Sequence, residues 1–206
     1  MGLDVLGYLV EILSGMPFDR FLRTRLFDPL GMDDTWFYLP EELNNRLVTV
    51  QTSENGEWVP YPVTFYDPDY PIKGSKALFA GGAGLCSTPE DYATFLQMYL
   101  NNGELNGTRI LSRTTVNTIM SNHYPEIWED SYDYYGLAFS INTEKGEDIG
   151  GLGSKGTFGW GGYFNTQYFA DPEEEIIGVI MKQTRNVRGD NTSWRFKQLV
   201  GQCISD

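Results

Sequence analysis

Glycine and aromatic residues are crowded into residues 156–172 (GTFGWGGYFNTQYFADP), and no other stretch of the chain restricts the fold as strongly. The segment reads as a strand whose backbone something must approach closely. Gly159, Gly161 and Gly162 flank Trp160, and the residues from Tyr163 to Phe169 have the aromatic and β-branched content of a strand. Glycine inside a strand weakens it and marks a bulge or a close approach by a ligand or another backbone. Asp171-Pro172-Glu173-Glu174 then supplies a turn, and Glu175 to Gln183 (EIIGVIMKQ) a second, mostly apolar strand. The two make a hairpin closed by an acidic turn. Taken alone this is plain β architecture, and what gives it more weight lies upstream.

A chain of 206 residues fits one domain, or one and a part, and can bury a sizeable core. Hydrophobic residues at 41% and aromatics at 15% exclude a disordered polymer. A net charge of -13, with the fifteen Lys and Arg scattered, excludes phosphate backbones and anionic membranes as partners, so no nucleic acid is expected. No apolar run approaches the ~20 residues of a membrane span. Cys86 and Cys203 are too few for a disulfide scaffold and read as buried free thiols.

Helix signals dominate the first two thirds. Leu3, Leu6, Leu9, Val10 and Leu13 fall at helical spacing before Gly15, predicting an amphipathic helix over residues 2–14 that begins abruptly, without a capping segment. Pro17 opens a second helix that runs to Asp28-Pro29, where proline ends it. Residues 40–76 read as a long irregular excursion in which Tyr61, Phe65, Tyr66 and Tyr70 are candidate pocket linings. Thr88 before Pro89, followed by Glu90 and Asp91, is the order of an N-cap, a first-turn proline and acids at the positive helix end. Tyr92, Phe95, Leu96, Met98, Tyr99 and Leu100 give that helix its buried face, and Gly103 closes it. A hairpin-like turn at 103–107 follows, then a helix from Arg113 to Ser121 capped by Ser112. Gly136 to Ile141 reads as a strand and residues 146–156 as a glycine-rich connector. Residues 193–204 form a closing helix. The expected order is helices and loops over 1–132, then three antiparallel strands and one helix over 133–206.

Several motifs, taken together, resemble one family. Val5-Leu6-Gly7, Gly15-Met16-Pro17, Pro29-Leu30-Gly31-Met32-Asp33-Asp34-Thr35, Gly81 to Tyr92 (GGAGLCSTPEDY) and Phe158-Gly159-Trp160-Gly161-Gly162 stand in the order and spacing of the serine β-lactamase-like superfamily. The branch they most resemble is that of the class C β-lactamase-related hydrolases and esterases. The resemblance implies an α+β fold and acyl transfer through a serine ester, without metal or organic cofactor, on a small-molecule ester or amide. That chemistry needs a nucleophile, a neighbouring group to take its proton, and backbone N–H groups to hold the oxyanion.

The family writes these parts as Ser-x-x-Lys, Tyr-x-Asn and a third motif on a strand beside the site. No Ser-x-x-Lys occurs in the 206 residues, and no Tyr-x-Asn stands in the family's setting. By the resemblance the chain corresponds to the C-terminal portion of such a protein, starting just after the second motif, and is expected to be inactive alone. The third motif is present in its Trp-x-Gly form. By carry-over Trp160, Gly161 and Gly162 border the acyl pocket, and the N–H of Tyr163 is the second oxyanion donor. Replacing Lys-Thr-Gly removes a cation, which favours ester substrates over β-lactam carboxylates. Ser14, Ser75, Ser87 and Ser154 lack the helical spacing to a lysine that would activate them. His123, the one histidine, reads as a helix-end residue with no partner for zinc or a triad.

In the family fold, N-terminal strands complete the sheet beside the last strand. Without them residues 176–183 would present an open apolar edge, and such edges recruit another chain, so a homo-oligomer is expected. A second reading, a binding module that kept the fold and lost the chemistry, stays open at this point.

Overall fold

A computed structural model describes residues 2–150 and 153–204. It combines helices with antiparallel sheet, as the sequence leads one to expect, and separates into two compact units. One unit comprises Met1–Tyr92, Gly162–Asn165 and Lys182–Arg188; the other comprises Ala93–Gly161, Thr166–Met181 and Gly189–Asp206.

The first unit opens with α1 (Gly2–Ser14). This helix is attached by its small and polar side. A Cβ on Gly7 would sit 3.2 Å from the Phe18 ring, and Glu11 Oε1 accepts a hydrogen bond from the Phe18 N–H at 2.8 Å. Leu3, Val5, Leu6, Tyr8, Leu9, Ile12 and Leu13 are instead 47–78% exposed. At helical periodicity they span an arc of roughly 220°. The helix is where the apolar spacing puts it, but its apolar face points outward.

Proline does not end the next helix. α2 (Phe18–Leu22) runs into a wider π-type turn, Arg23–Phe27, in which the Asp28 N–H bonds to the Arg23 carbonyl. The widening accommodates the N–H that Pro29 lacks, so α3 (Asp28–Leu30) continues to Gly31, whose φ of 70° stops it. The loop after it is tied to the helix that begins at Pro89. Asp91 Oδ2 accepts from the Asp34 N–H and the Thr35 hydroxyl, both at 2.8 Å, and the Thr35 and Ser87 hydroxyls lie 2.7 Å apart. Two motifs some fifty residues apart are thereby one structural device. Residues 40–76 are less irregular than their composition suggests. They hold a 3-10 turn (Glu41–Arg46), a hairpin of β1 (Gln51–Glu54) and β2 (Glu57–Pro60) turned at Asn55-Gly56, and a short helix α4 (Tyr70–Lys73).

α5 (Pro89–Leu100) carries the chain into the second unit. Its start is capped as expected, with the Asp91 N–H donating to Thr88 Oγ1. β3 (Glu104–Leu105) and β4 (Thr108–Arg109) make the small hairpin, and α6 (Arg113–Met120) is capped by Ser112, which accepts from the Thr115 N–H. Leu96, Met98 and Tyr99 of α5 are buried, and the Tyr99 ring packs on Phe139 (5.0 Å) and Phe158 (6.2 Å).

The sheet is a five-strand antiparallel meander: β5 (Asp133–Tyr135), β6 (Ser140–Asn142), β7 (Phe158–Gly161), β8 (Thr166–Asp171) and β9 (Ile176–Met181). A five-residue helix α7 (Glu144–Asp148) links β6 towards β7, and α8 (Thr192–Gly201) closes the chain. The expected strand over 136–141 is strand only from Ser140, with β5 formed by residues that read as loop, and the expected strand over 156–172 is split in two. Residues 136–139 turn between β5 and β6, and residues 162–165 turn between β7 and β8. The hairpin closed by the acidic turn is present as β8 and β9, paired without interruption from Thr166↔Met181 to Asp171↔Ile176. Among the described residues no strand pairs with the outer side of β9. Gly151 and Leu152, in the predicted glycine-rich connector, lie outside the described residues.

Asp171, only 4% exposed, fixes this register. Its Oδ2 accepts from the Ser154 N–H (2.8 Å) and the Thr157 hydroxyl (2.9 Å), and its Oδ1 from the N–H groups of Glu173 (3.1 Å) and Glu174 (3.3 Å). Burial pushes its pKa up, and these donors more than offset it, holding the carboxyl below its ordinary 3.8. A depressed folded pKa stabilises the fold above the unfolded value and loses that contribution as pH falls through the folded one. Asp171→Asn, which must turn an amide donor towards donors, is expected to cost about 2–3 kcal/mol at neutral pH in denaturant unfolding. Below about pH 4 the gap to the parent should narrow.

Candidate functional site

The Trp160-Gly161-Gly162-Tyr163 motif crosses from one unit to the other, so each half is described within its own unit. In the second unit β7 pairs with β8 along its whole length, from Phe158↔Ala170 to Gly161↔Gln167. Against β6 it pairs only at Gly159↔Ser140 and Phe158↔Ile141. Trp160 and Gly161 therefore project past the end of β6 and have no ladder partner on that side among the described residues. The Trp160 ring is 52% exposed and rests on Tyr135, with centroids 4.8 Å apart. Two glycines here serve different purposes. A Cβ on Gly159 would lie 2.4 Å from the Tyr168 carbonyl oxygen, whereas one on Gly161 would meet only the end of the Gln167 side chain, at 2.1 Å. The first is demanded by backbone, the second by a group that can swing away.

In the first unit the turn 162–165 orients the Tyr163 peptide. The Asn165 N–H donates to the Gly162 carbonyl at 3.1 Å, and Asn165 takes a left-handed φ of 66°. Because a trans peptide holds its C=O and N–H on opposite sides, engaging the Gly162 carbonyl inside the turn directs the Tyr163 N–H out of it. That N–H donates to no acceptor among the described residues. The following peptide is pinned too: Arg185 Nη1 donates to the Tyr163 carbonyl at 3.2 Å, and its guanidinium lies 3.9 Å from the Tyr163 ring centroid.

Arg185 belongs to a cluster that the sequence did not single out. The Tyr163 ring packs edge-on to Tyr66 (4.7 Å) and Phe164 (5.2 Å), and Phe164 to Tyr61 (5.7 Å). The segment after β9 holds the turn from behind, the Thr184 N–H donating to the Phe164 carbonyl at 3.1 Å and Asn165 Nδ2 to Thr184 Oγ1 at 3.0 Å. The Tyr61 phenol is held below its ordinary value by hydrogen bonds with Thr64 and Tyr163, against burial and with help from the Arg185 charge. Of the four aromatic candidates, Tyr61 and Tyr66 reach the turn, Phe65 is 84% exposed, and Tyr70 bonds to Tyr38 instead. Burial, then that bond, push the Tyr70 phenol up to about 12.

The remaining candidates fall to structural roles. His123 Nε2 lies 2.7 Å from the Thr118 carbonyl at the end of α6. The Cys86 thiol donates to the Trp36 carbonyl and is pushed by burial up to about 11, which makes it a poor nucleophile. Cys203 is exposed, not buried as its apolar surroundings suggested, and is also free. Ser87 joins the Thr35 network, and the Ser154 N–H serves Asp171. Two Tyr-x-Asn strings exist, at 99–101 and 163–165. Tyr99 of the first is a core residue, and the second forms the turn itself. Among the described residues no group of His, Cys, Asp and Glu could hold a metal ion.

Comparison with known proteins places this geometry in a family context. The sequence matches the family described as Beta-lactamase over residues 1–202. Protein Rv1367c of Mycobacterium tuberculosis is 28% identical over 194 residues, a match that takes in 88% of this chain and 47% of that protein. The lovastatin esterase of Penicillium rubens is 27% identical over 198 residues, covering 86% of this chain and 48% of the esterase. Among solved structures, unliganded simvastatin synthase (LovD) from Aspergillus terreus superposes with a TM-score of 0.78 at 18% identity, over 98% of this chain and 55% of that one. The chain thus spans about half the length of the curated relatives it matches.

Two substitution tests follow from the site. Gly159→Ala is expected to cost about 2–3 kcal/mol of stability through its backbone clash, and Gly161→Ala under about 1 kcal/mol, measured by denaturant unfolding. Arg185→Met removes a cation that favours the Tyr61 phenolate, so the Tyr61 pKa should rise. NMR titration with labelled tyrosine reads that shift, and an unchanged or lower value would contradict the clamp.

Proposed function

The chain belongs to the Beta-lactamase family, and on that premise we propose that it forms the strand-side wall of a serine acyl-transfer site that hydrolyses a small-molecule ester or amide. In this reading a serine hydroxyl attacks the substrate carbonyl, and the tetrahedral oxyanion is held by backbone N–H groups. Tyr163 supplies one of them. Trp160, Gly161 and Gly162 border the acyl group, the ring giving an apolar surface and the unpaired side of the strand giving access. The observation that carries the reading is the Tyr163 N–H, turned out of its hairpin and without an acceptor among the described residues.

An ester is the favoured substrate class. The motif carries Trp160 where a lysine would offer a cation, and a relative at 27% identity is named for ester hydrolysis. The nucleophile is not among these serines: Ser-x-x-Lys does not occur, Ser87 is hydrogen-bonded into the Thr35 network, and Ser154 lies in the buried Asp171 network. The 206-residue chain by itself is therefore proposed to be inactive, its wall completed by a segment that brings the serine and its proton acceptor.

The test is turnover of a short-chain nitrophenyl ester by the folded chain, with a fluorophosphonate probe and peptide mass spectrometry on the same sample. Neither turnover nor labelling is expected. Stoichiometric labelling of one serine accompanied by turnover would overturn the proposal and identify a nucleophile within the chain.

A further inference from the structure

A cavity of about 470 Å³ lies within the second unit, where the end of α8 meets β8 and the turn into β9, and neither Trp160 nor Gly161 lines it. Phe169, Ile176, Val200 and Ile204 give it an apolar lining, and Lys197 of α8 shares the same wall. Lys197 is half-buried, with its Nζ 5.2 Å from the Phe169 ring centroid. Among the described residues it makes no ion pair and no hydrogen bond. Lys73 and Lys155, by contrast, are ion-paired with Asp69 and Glu144, and Lys145 donates to the Asp130 carbonyl. A ring face attracts a cation weakly and does not replace the water that an ammonium loses on burial. That loss falls on the charged form alone. Burial accordingly draws the Lys197 pKa below its ordinary 10.5, against the pull of the Asp171 and Asp133 charges. Glu147 and Glu174 line the cavity too and also favour the ammonium, but both are exposed, and solvent screens them.

We propose that Lys197 is a covalent modification site, acylated by small apolar acyl groups that lodge in this cavity and are supplied as activated donors, aryl esters or thioesters. The Nζ lone pair of the neutral amine attacks the donor carbonyl carbon and forms the C–N bond. The bond from that carbon to the aryl oxygen or the sulfur breaks, and the leaving group takes its electron pair. The nitrogen's proton passes to water, and an amide remains. Two features favour the product. A neutral amide ends the cost of holding an ammonium without an acceptor, and Gln198 and Gln202, which line the same cavity, carry N–H groups of the kind an amide carbonyl accepts. The site uses no residue of the Trp160 to Tyr163 motif and stands whether or not the acyl-transfer reading holds.

Competitive labelling of the folded chain by p-nitrophenyl acetate and p-nitrophenyl butyrate, quantified by peptide mass spectrometry, tests it. Lys76, which is exposed, is the internal reference. At about pH 8 Lys197 should be acetylated about fivefold faster than Lys76, because burial raises its neutral fraction. Butyrate should widen that ratio, each added methylene contributing up to about fourfold through the apolar lining. In urea, where the cavity is lost, the ratio should fall to about one. Lys197 reacting no faster than Lys76 would overturn the proposal. So would a ratio that butyrate leaves unchanged, or one that survives unfolding. The expected product is an amide at Lys197, formed once per chain without a serine ester, and is thereby told apart from the serine labelling with turnover that would overturn the acyl-transfer reading.

Discussion

One buried carboxylate sets the geometry on which the candidate site depends. Asp171 stands at the end of β8, yet two of its four donors, Ser154 and Thr157, belong to the approach to β7, and the other two belong to the turn into β9. Three strands are thus referenced to a single side chain. A slip of one residue would turn every side chain of β7 to the opposite face of the sheet. Trp160 would then no longer face Tyr135, and the turn at 162–165 would begin one residue out of place. The cost of burying the charge is met chiefly by hydrogen bonds, with the Lys197 charge close enough to interact with it, and so the network fixes direction as well as energy.

Two surfaces of the molecule run against the usual distribution of apolar residues. α1 is anchored through Gly7 and Glu11 and leaves seven large apolar side chains exposed, while β9 carries an apolar run along an unpaired edge. Contiguous apolar area of this kind marks an interaction surface. An arc of roughly 220° on α1 is wider than one packed helix can cover and calls for several elements around it.

Legibility in the sequence followed the range of the interactions involved. Helix ends set by adjacent residues were readable: Thr88 with Pro89, Ser112, and Gly103 all act where their residue types place them. The strand position of Trp160 was also legible, as was the hairpin that β8 and β9 close at Asp171-Pro172. Strand breaks were not. The turn at 162–165 depends on Asn165 adopting a left-handed φ, and a glycine and aromatic run hides that corner inside a segment of high strand propensity. The hairpin at Asn55-Gly56 carried a readable turn signal, but its strands, QTSE and EWVP, are too polar to display a buried alternation. Pro29 ended no helix because the π-type turn before it removed the conflict, and nothing local announces such a turn. Arg185 was beyond reach altogether. Its role requires contacts with Tyr163, twenty-two residues away, and with the neighbourhood of Tyr61, and pattern does not encode such proximity.

The division of labour within the motif follows from which atoms it uses. The group proposed as oxyanion donor at residue 163 is a backbone N–H, and its direction is set by the Gly162 carbonyl bonding to Asn165. The tyrosine side chain contributes nothing to that direction; it serves as a packing surface for Arg185, Tyr66 and Phe164. Position 160 is the reverse case, since the backbone there is ordinary strand and only the side chain faces open space. Substitution at 163 should therefore be felt as loss of packing around the turn, and substitution at 160 as a change in what the open side of the strand can accept. In the proposed reading Arg185 does not take the place of the lysine of a Lys-Thr-Gly motif. It is stacked on Tyr163 and bonded to the Tyr163 carbonyl, so its charge supports the turn from behind instead of meeting a substrate carboxylate. In the proposed site, a neutral strand wall with an outward-turned N–H is suited to carbonyl chemistry on uncharged acyl groups, and this electrostatic character is why the proposal favours an ester.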